Sequence, residues 1–444
     1  MEQQKLQGEM IRYIMTNMED AVCVTDRHGF LLYYNPAAQA LFGLPSKEEK
    51  GQRIWEYIPF LETNDNLIEM FIESIRSTQP SRQMLVLYEN NKGAVSHLRV
   101  SLSFSEEEGG RFLVVISDLS ELVKVKDAFT RYTSPQIANY VLYTPEGEAR
   151  DGENREVTIL MSDLRGFTAM SAAMEAKPLV EMLNHYFEKM TEVINYFQGT
   201  VIEFLGDGIF VVFGAPQSDP DHATHAVACA VRMQNAMPEV NQWNRENGFP
   251  ELTMGIGVCT GTCVVGNIGS EQKMKYGCVG ESVNLAGRVE SQTVGSQILI
   301  TESTAALMKE PLTTAGEFSF LPKGAKAPLT VYDVTGLGTE YRLERKTEET
   351  VWTRLEEPPT VDFYLLNENK SVDQDRLKGE IRAVSDDGGF LKLKAPVALT
   401  FHQNVLIDIG ENLYGKVTGQ EAEEAVICLT ACPDCYEGWV RGLR

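Results

Sequence analysis

Two aspartates stand where the chain could hold divalent cations. Asp163 follows an apolar, strand-like run, Val157–Met161, and Asp207 lies in Gly206-Asp207-Gly208 between two more such runs, Thr200–Leu205 and Ile209–Phe213. The flanking glycines free the backbone for a tight hairpin turn. Carboxylates at neighbouring strand ends can hold two hard cations, which bridge nucleotide phosphates and stabilise attacking and leaving oxygens together. A Gly-Asp-Gly turn alone is more often a plain hairpin. What reverses that preference is Asp163 in a strand-to-helix turn, Asp163-Leu164-Arg165-Gly166-Phe167-Thr168. Other polar groupings carry less. His222 and His225 flank a helix start beside Asp219 and Asp221, where capping is the expected role. Gly255-Ile256-Gly257 with Gly261 lies in a strand region with no helix opening after it, so it is no dinucleotide-binding loop. Cys432-Pro433-Asp434-Cys435 is one CxxC without a second pair at zinc spacing, and reads as a turn.

The elements that must position the aspartates run in the order β-α-β-β-α-β. They are strand Val157–Met161, amphipathic helix Leu179–Phe197, the hairpin, a helix from His222 to Met237, and strands near Leu252–Cys259 and Thr262–Asn267. This is a ferredoxin-like plan, with further elements to about Val334. Ahead of it, Ser134-Pro135 reads as an N-cap and first helical residue opening Gln136–Leu142, and Thr144 to Asn154 as a polar loop. Leu119, Leu122, Val125 and Phe129 form a narrow apolar seam too short to hold a coiled coil alone. The first segment predicts a helix over Gln3–Met18, strands at Ala21–Thr25 and Phe30–Tyr34 around an Asp26-Arg27-His28-Gly29 turn, and a helix over Ala37–Phe42. A helix at Asn66–Ser77 and strands at Gln83–Tyr88, Val95–Phe104 and Arg111–Ser117 follow. Past Leu337 the chain is charged and proline-bearing to Pro359. Short strands then recur at Val361–Leu366, Arg376–Val384, Gly389–Leu393, Asn404–Ile409, Gly415–Thr418 and Ala425–Leu429, the spacing of a small β-barrel.

The 444 residues suffice for about three domains. Hydrophobic residues make up 43% and charged residues 23%, a globular balance. With 40 basic against 63 acidic residues the net charge is −23, and no segment is basic, which argues against nucleic acid as a partner. No apolar run reaches the roughly 20 residues of a membrane helix, and the polar start is no secretory signal. Eight scattered cysteines read as free thiols of a cytoplasmic protein.

Three separated motifs, in order, resemble the signature of class III nucleotidyl cyclases: Thr158 to Thr168, Gly206-Asp207-Gly208, and Tyr276-Gly277-Cys278-Val279-Gly280-Glu281-Ser282-Val283-Asn284-Leu285-Ala286-Gly287-Arg288-Val289-Glu290. Phe129 to Pro135 resembles the helix preceding this domain in bacterial members, so the likeness spans about 129–336. The resemblance implies that Asp163 and Asp207 bind two divalent cations (Mg²⁺ or Mn²⁺). It implies that Asn284 orients the ribose, that Arg288 stabilises the transition state and that Lys323 grips the triphosphate. It further implies a homodimer, each site taking its aspartates from one protomer and Asn, Arg, Lys and base-reading residues from the other. The arginine that some members carry at Thr262 is absent here, as it often is in bacterial ones.

The base-reading positions carried over by this resemblance are Glu203 and Gly277. Adenylyl cyclases usually have lysine at the first, whereas a carboxylate accepts two hydrogen bonds from the guanine edge and opposes an acceptor to adenine N1. Mispairing a buried polar group costs on the order of 1–3 kcal/mol, ten- to a hundredfold or more in preference. Gly277 lacks the Asp or Thr expected for ATP without supplying the Cys common for GTP. GTP is the expected substrate and cyclic GMP the product. The alternatives are an adenylyl cyclase and a catalytically inactive nucleotide-binding or dimerisation scaffold, the last disfavoured by retention of all five implied catalytic and metal residues.

Thr25-Asp26, Tyr34-Asn35-Pro36-Ala37 and Ile116-Ser117-Asp118-Leu119 resemble a PAS domain over about 10–120. That implies a sheet cupping a small ligand or a dimer partner; no flavin-type cysteine motif and no haem-type histidine (His28, His97) stands out. Ser385-Asp386-Asp387-Gly388 before Phe390-Leu391 resembles the Ser-x-x-Gly core of a PilZ domain, although Ala383 stands where that family has an acidic residue or Asn and no arginine pair precedes it. A degenerate copy more often serves as a contact module, leaving a protein partner or a cyclic dinucleotide open. The expected fold class is α+β: a PAS sensor at 1–120, a signalling helix and connector at 121–154, a cyclase domain at 155–336 and a PilZ-like barrel at 337–444.

Overall fold

A computed structural model of the chain describes residues 2–45, 52–77, 81–106, 109–148, 152–325, 327–338, 340–346, 350–367, 371–372, 376–386, 388–433 and 435–443. It falls into two compact units, Met1–Tyr132 and Thr133–Arg444. Asp387 and Asp434 of the motifs above lie outside the described residues.

The first unit comprises α1 (Glu2–Asn17), β1 (Ala21–Asp26), β2 (Leu31–Tyr34), α2 (Pro36–Phe42), α3 (Asp65–Ser77), β3 (Ser81–Glu89), β4 (Val95–Ser105), β5 (Arg111–Asp118) and α4 (Ser120–Tyr132). Its antiparallel sheet runs β2-β1-β5-β4-β3. The Asp26 carboxylate accepts the amides of His28 and Phe30, closing the turn between β1 and β2. Asn35 caps α2 by accepting from Ala38 N at 2.9 Å while Pro36 opens the helix, so the Asn-Pro pair ends one element and starts the next. Leu67 and Phe71 of α3 pack with Leu98, Val100, Phe112, Val114 and Ile116 of the sheet. The seam residues Leu122 and Val125 are 64% and 67% exposed, and α4 buries no residue.

The second unit opens with α5 (Pro135–Tyr143), β6 (Glu153–Leu164), α6 (Phe167–Ala173), α7 (Ala176–Tyr196), β7 (Thr200–Leu205), β8 (Gly208–Phe213), α8 (His222–Glu246) and β9 (Met254–Ser270). It continues through β10 (Lys273–Val279), α9 (Glu281–Glu290), β11 (Ile298–Thr301), α10 (Glu302–Ala306), β12 (Leu312–Phe320), β13 (Leu329–Leu337) and β14 (Leu343–Glu344). The sheet order is β12-β13-β11-β9-β6-β8-β7, with β10 paired to β9 and β14 to β13. Alternation along β6 divides the core: Leu160 and Leu164 pack with Met182, Tyr186 and Met190 of α7 and the buried face of α8, while Val157 and Ile159 share the other face with Ile137 of α5 and Ala286 of α9.

Two expectations are corrected here. The region read as two strands, Leu252–Cys259 and Thr262–Asn267, is one strand, β9. Gly261 is no turn but a gap: a Cβ there would strike the Ser282 side chain at the start of α9. Gly257 likewise lies under the Ala286 and Glu290 backbone, so the β9 glycines form the bed of that helix. The helix expected to stop at Met237 runs through Pro238 to Glu246, because Val240 and Asn244 are fully buried beyond the proline.

The chain ends in β15 (Trp352–Arg354), β16 (Thr360–Leu366), β17 (Leu377–Ser385), β18 (Phe390–Lys394), β19 (Asn404–Asp408), β20 (Asn412–Glu421), β21 (Glu424–Ala431) and α11 (Tyr436–Leu443). Strands β17-β16-β19-β20-β21-β18 pair in that order and β18 returns to β17, closing a six-stranded barrel with β15 added along β17. The buried Ser385 hydroxyl accepts from Phe390 N at 2.8 Å, so it is spent on its own hairpin. The barrel touches the rest of this unit through His402, which stacks on Phe318 at 3.7 Å, and through Lys416, whose Nζ donates to Gln292 O at 3.3 Å.

Candidate active site

Asp163 is the penultimate residue of β6, and Asp207 occupies the turn between β7 and β8. Strands β6 and β8 are hydrogen-bonded neighbours with Ser162 opposite Ile209, which sets the two carboxylates side by side. The Leu164 amide donates to Asp207 Oδ2 at 3.1 Å, which holds the Asp207 carboxylate against the end of β6. Gly208 is required by this closeness, since a Cβ there would lie 2.8 Å from Ser162 O and 3.2 Å from Asp163 Oδ1. Burial, then the charge of Asp207, raises the Asp163 carboxyl to about 6, with Arg165 pulling the other way. Beneath them lies fully buried Tyr186, its hydroxyl toward Met254 Sδ at 3.1 Å and its acidity suppressed by burial.

Two like charges pressed together on oxygen donors suit a hard divalent cation. The fit is to a site with two protein carboxylates, because no group of three or more His, Cys, Asp or Glu suited to a metal occurs among the described residues. That includes the start of α8. There His225 pairs with Asp219 at 2.7 Å and His222 Nδ1 meets Thr158 Oγ1 at 2.7 Å. The capping expected here is not made: Asp221 sits at the N-cap without a side-chain cap bond because its carboxylate pairs with Lys309, and Asp219 instead closes the preceding turn by accepting from Asp221 N at 2.8 Å.

The other expected site residues lie apart from the aspartates. Asn284 is exposed and Arg288 half-buried on α9, and Lys323 is exposed in the β12–β13 turn, at the opposite edge of the sheet from β7. None of the three side chains has a hydrogen-bond or ion-pair partner among the described residues, and none is tied up internally. Glu203 on edge strand β7 is reached from β10, though not by Gly277 itself, whose Cβ position would meet only Ile268. Lys275, two residues before Gly277 on β10, donates from Nζ to Glu203 Oε2 at 2.6 Å. Lys275 was not singled out by motif reading, and neither was the ion pair of Arg165 with Glu290 at the end of α9. Lys275 lies just before the third motif, and only its alternation with Gly277 on one strand could have signalled the first.

Residues 150–336 match the family described as adenylate and guanylate cyclase catalytic domain, and residues 9–119 match the PAS fold. The chain thus carries a class III nucleotide cyclase domain behind a PAS domain. It is 31% identical over 241 residues to "Adenylate cyclase 1" of Rhizobium meliloti (strain 1021), covering 50% of this chain and 35% of the relative. It is 28% identical over 278 residues to "Adenylate cyclase" of Anabaena cylindrica, covering 58% and 54%. The chain therefore spans between about a third and about a half of these curated relatives. Among solved structures, that of the guanylyl cyclase Cya2 is 48% identical, covering 44% of this chain and 100% of that one, at a TM-score of 0.43. No helix among the described residues is long and apolar enough to cross a membrane.

Proposed function

We propose that the protein is a guanylyl cyclase, closing GTP to 3′,5′-cyclic GMP with release of pyrophosphate at two equivalent sites in a homodimer. The observation that carries this reading is the division of the catalytic set: Asp163 and Asp207 side by side at neighbouring strand ends, with Asn284 and Arg288 on α9 and Lys323 in the β12–β13 turn lacking side-chain partners among the described residues. A second copy can bring the two halves together. The antiparallel order β9-β6-β8-β7 supports a ferredoxin-like core for them.

Asp163 and Asp207 would hold two divalent cations (Mg²⁺ or Mn²⁺), which would supply positive charge to offset that on the attacking 3′-oxygen and the leaving pyrophosphate. Asn284 orients the ribose. Arg288 and Lys323 offset the negative charge that gathers on the phosphate oxygens as the α-phosphorus is attacked. Glu203 accepts from guanine N1–H and the 2-amino group. Lys275, in contact with it, can donate to O6, supplying the group that Gly277 lacks. Adenine offers neither pairing, although relatives named adenylate cyclases keep ATP as the rival substrate. The PAS domain is the input, acting through α4, and the barrel a PilZ-like contact module; eight free cysteines support a cytoplasmic setting. Purified full-length chain offered GTP and ATP separately with Mg²⁺ or Mn²⁺ should yield cyclic GMP, identified by mass. A product from ATP alone would replace this reading with an adenylyl cyclase, and none from either with a scaffold.

A further inference from the structure

We infer that Arg165 is a positioning residue that ties the metal-binding turn of one active site to the helix serving the other, through its ion pair with Glu290. The inference rests on the cyclase reading above and concerns a pair which that reading leaves idle.

Arg165 lies two residues past Asp163 and answers to two sets of carboxylates. On one side are Asp163 and Asp207, whose charges favour the guanidinium, which in turn favours ionised Asp163. On the other is Glu290, the last residue of α9, two past Arg288 and six past Asn284. The path between them is bare backbone. Gly255, the register partner of Asp163 on β9, carries no side chain, and a Cβ there would collide with Arg165 Nη2 and Thr293 Oγ1. The pair is well shielded, with side-chain exposures of 27% and 12%. Arg165 Nε is buried with no hydrogen-bond partner among the described residues, so the guanidinium is not saturated by Glu290. The planar guanidinium fork can address two carboxylate groups at once, a geometry an ammonium lacks.

In the proposed dimer α9 of each protomer faces the aspartates of its partner. The Arg165–Glu290 pair therefore runs from the aspartates of one site to the Asn284 and Arg288 of the second. When cations take up the aspartate charge, the guanidinium is left to Glu290 and holds the end of α9. When the aspartates are bare, it is shared between the two. Filling one site thereby steadies the arginine of the other.

The test uses the full-length chain, reading Mn²⁺ binding without nucleotide by electron paramagnetic resonance beside steady-state kinetics with GTP. Removing the guanidinium in Arg165→Met takes a cation from beside the carboxylates, so Mn²⁺ should bind about tenfold tighter while kcat falls about tenfold and KM stays within threefold. Glu290→Gln frees the guanidinium to lean on the aspartates, so Mn²⁺ should bind about threefold or more weaker while kcat again falls about tenfold. The double variant should lose no more kcat than either single change. Arg165→Lys keeps the charge and the smaller perturbation, and should show near-native Mn²⁺ affinity with kcat still depressed. Shifts of Mn²⁺ affinity in the same direction in Arg165→Met and Glu290→Gln, or an unaltered kcat in Glu290→Gln, overturn the inference. A wild-type chain that makes no cyclic nucleotide sinks the cyclase reading instead, whereas an active wild type with an indifferent Glu290→Gln sinks only this pair.

Discussion

The second unit holds two carboxylate clusters built on opposite rules. Asp333, on β13, is 2% exposed and fully matched: Arg345 Nη1 donates to one oxygen at 2.8 Å and Gln297 Nε2 to the other at 3.0 Å. Arg345 also reaches Ser296 O at 3.2 Å, and the same Gln297 accepts from Val294 N and meets His402 Nε2, so one buried carboxylate organises the β11–β13 edge and the barrel contact. Asp163 and Asp207 have no ion pair with a basic side chain among the described residues: Asp207 accepts the Leu164 amide at 3.1 Å, Arg165 offsets the Asp163 charge only in part, and burial, then the charge of Asp207, raises the Asp163 carboxyl to about 6. A carboxylate neutralised by its own chain is scaffold. One pressed against a second carboxylate has the character of a site awaiting a cation, which is the role proposed for Asp163 and Asp207.

The contrast can be broken most directly at Asp207. Asp207→Ala should cut cyclic nucleotide formation by about 10³-fold or more, with the dimer intact by light scattering and thermal stability equal or raised once the repulsion is gone. The reverse pattern is expected at the matched cluster. Arg345→Met strands the Asp333 charge and should cost about 3–5 kcal/mol of stability by urea unfolding, and Mn²⁺ affinity at the aspartates should stay as it is. Equal activity losses without a stability difference would erase the distinction drawn here.

Smaller effects sharpen it. Glu203→Lys with Gly277→Asp exchanges the guanine-facing acceptor for groups suited to adenine, and should move the GTP-to-ATP ratio of kcat/KM by about ten- to a hundredfold. Unchanged GTP selectivity in that double variant would remove the base-reading argument. The gentlest test is pH. Burial, then the Lys416 charge, lowers His402 to about 3, so it stays neutral when folded while its unfolded counterpart titrates near 6.5. Below 6.5 the unfolded chain then binds the extra proton. Stability from this residue is complete above pH 6.5 and is lost, at up to about 1.4 kcal/mol per pH unit, as the pH falls toward 3. His402→Gln should flatten the part of the urea-midpoint slope between pH 6 and 5 that this residue contributes.

Much of this was legible beforehand, in uneven ways. The Gly206-Asp207-Gly208 hairpin and the Asn35-Pro36 junction were readable because the residues themselves dictate the local backbone. The glycines of β9 were not, because the same residue type serves turns and close packing alike. Only the helix lying over Gly257 and Gly261 shows which applies. Pro238 reads locally as a stop, yet burial of Val240 and Asn244 and the stacking of His185 on Trp243 at 4.1 Å outweigh the missing amide. The site residues came from motifs. Their partners Lys275 and Glu290 answer to contacts 72 and 125 residues away in the chain, which no local pattern encodes. The Ser385-x-x-Gly run illustrates the reverse hazard, as its serine completes a hairpin whatever else the barrel does.

One detail of β7 reaches past enzymology. This strand ends the nine-stranded sheet, with Phe204 and Leu205 45% and 50% exposed along an open row of backbone groups, an arrangement prone to stacking against other copies. The pairing slips between Val201 and Glu203, and a charge stands directly after the irregularity. A charge at that point is the kind of device that blunts an open edge, so a redesign of nucleotide choice at residue 203 is expected to keep the edge guarded if it keeps an ionised side chain there.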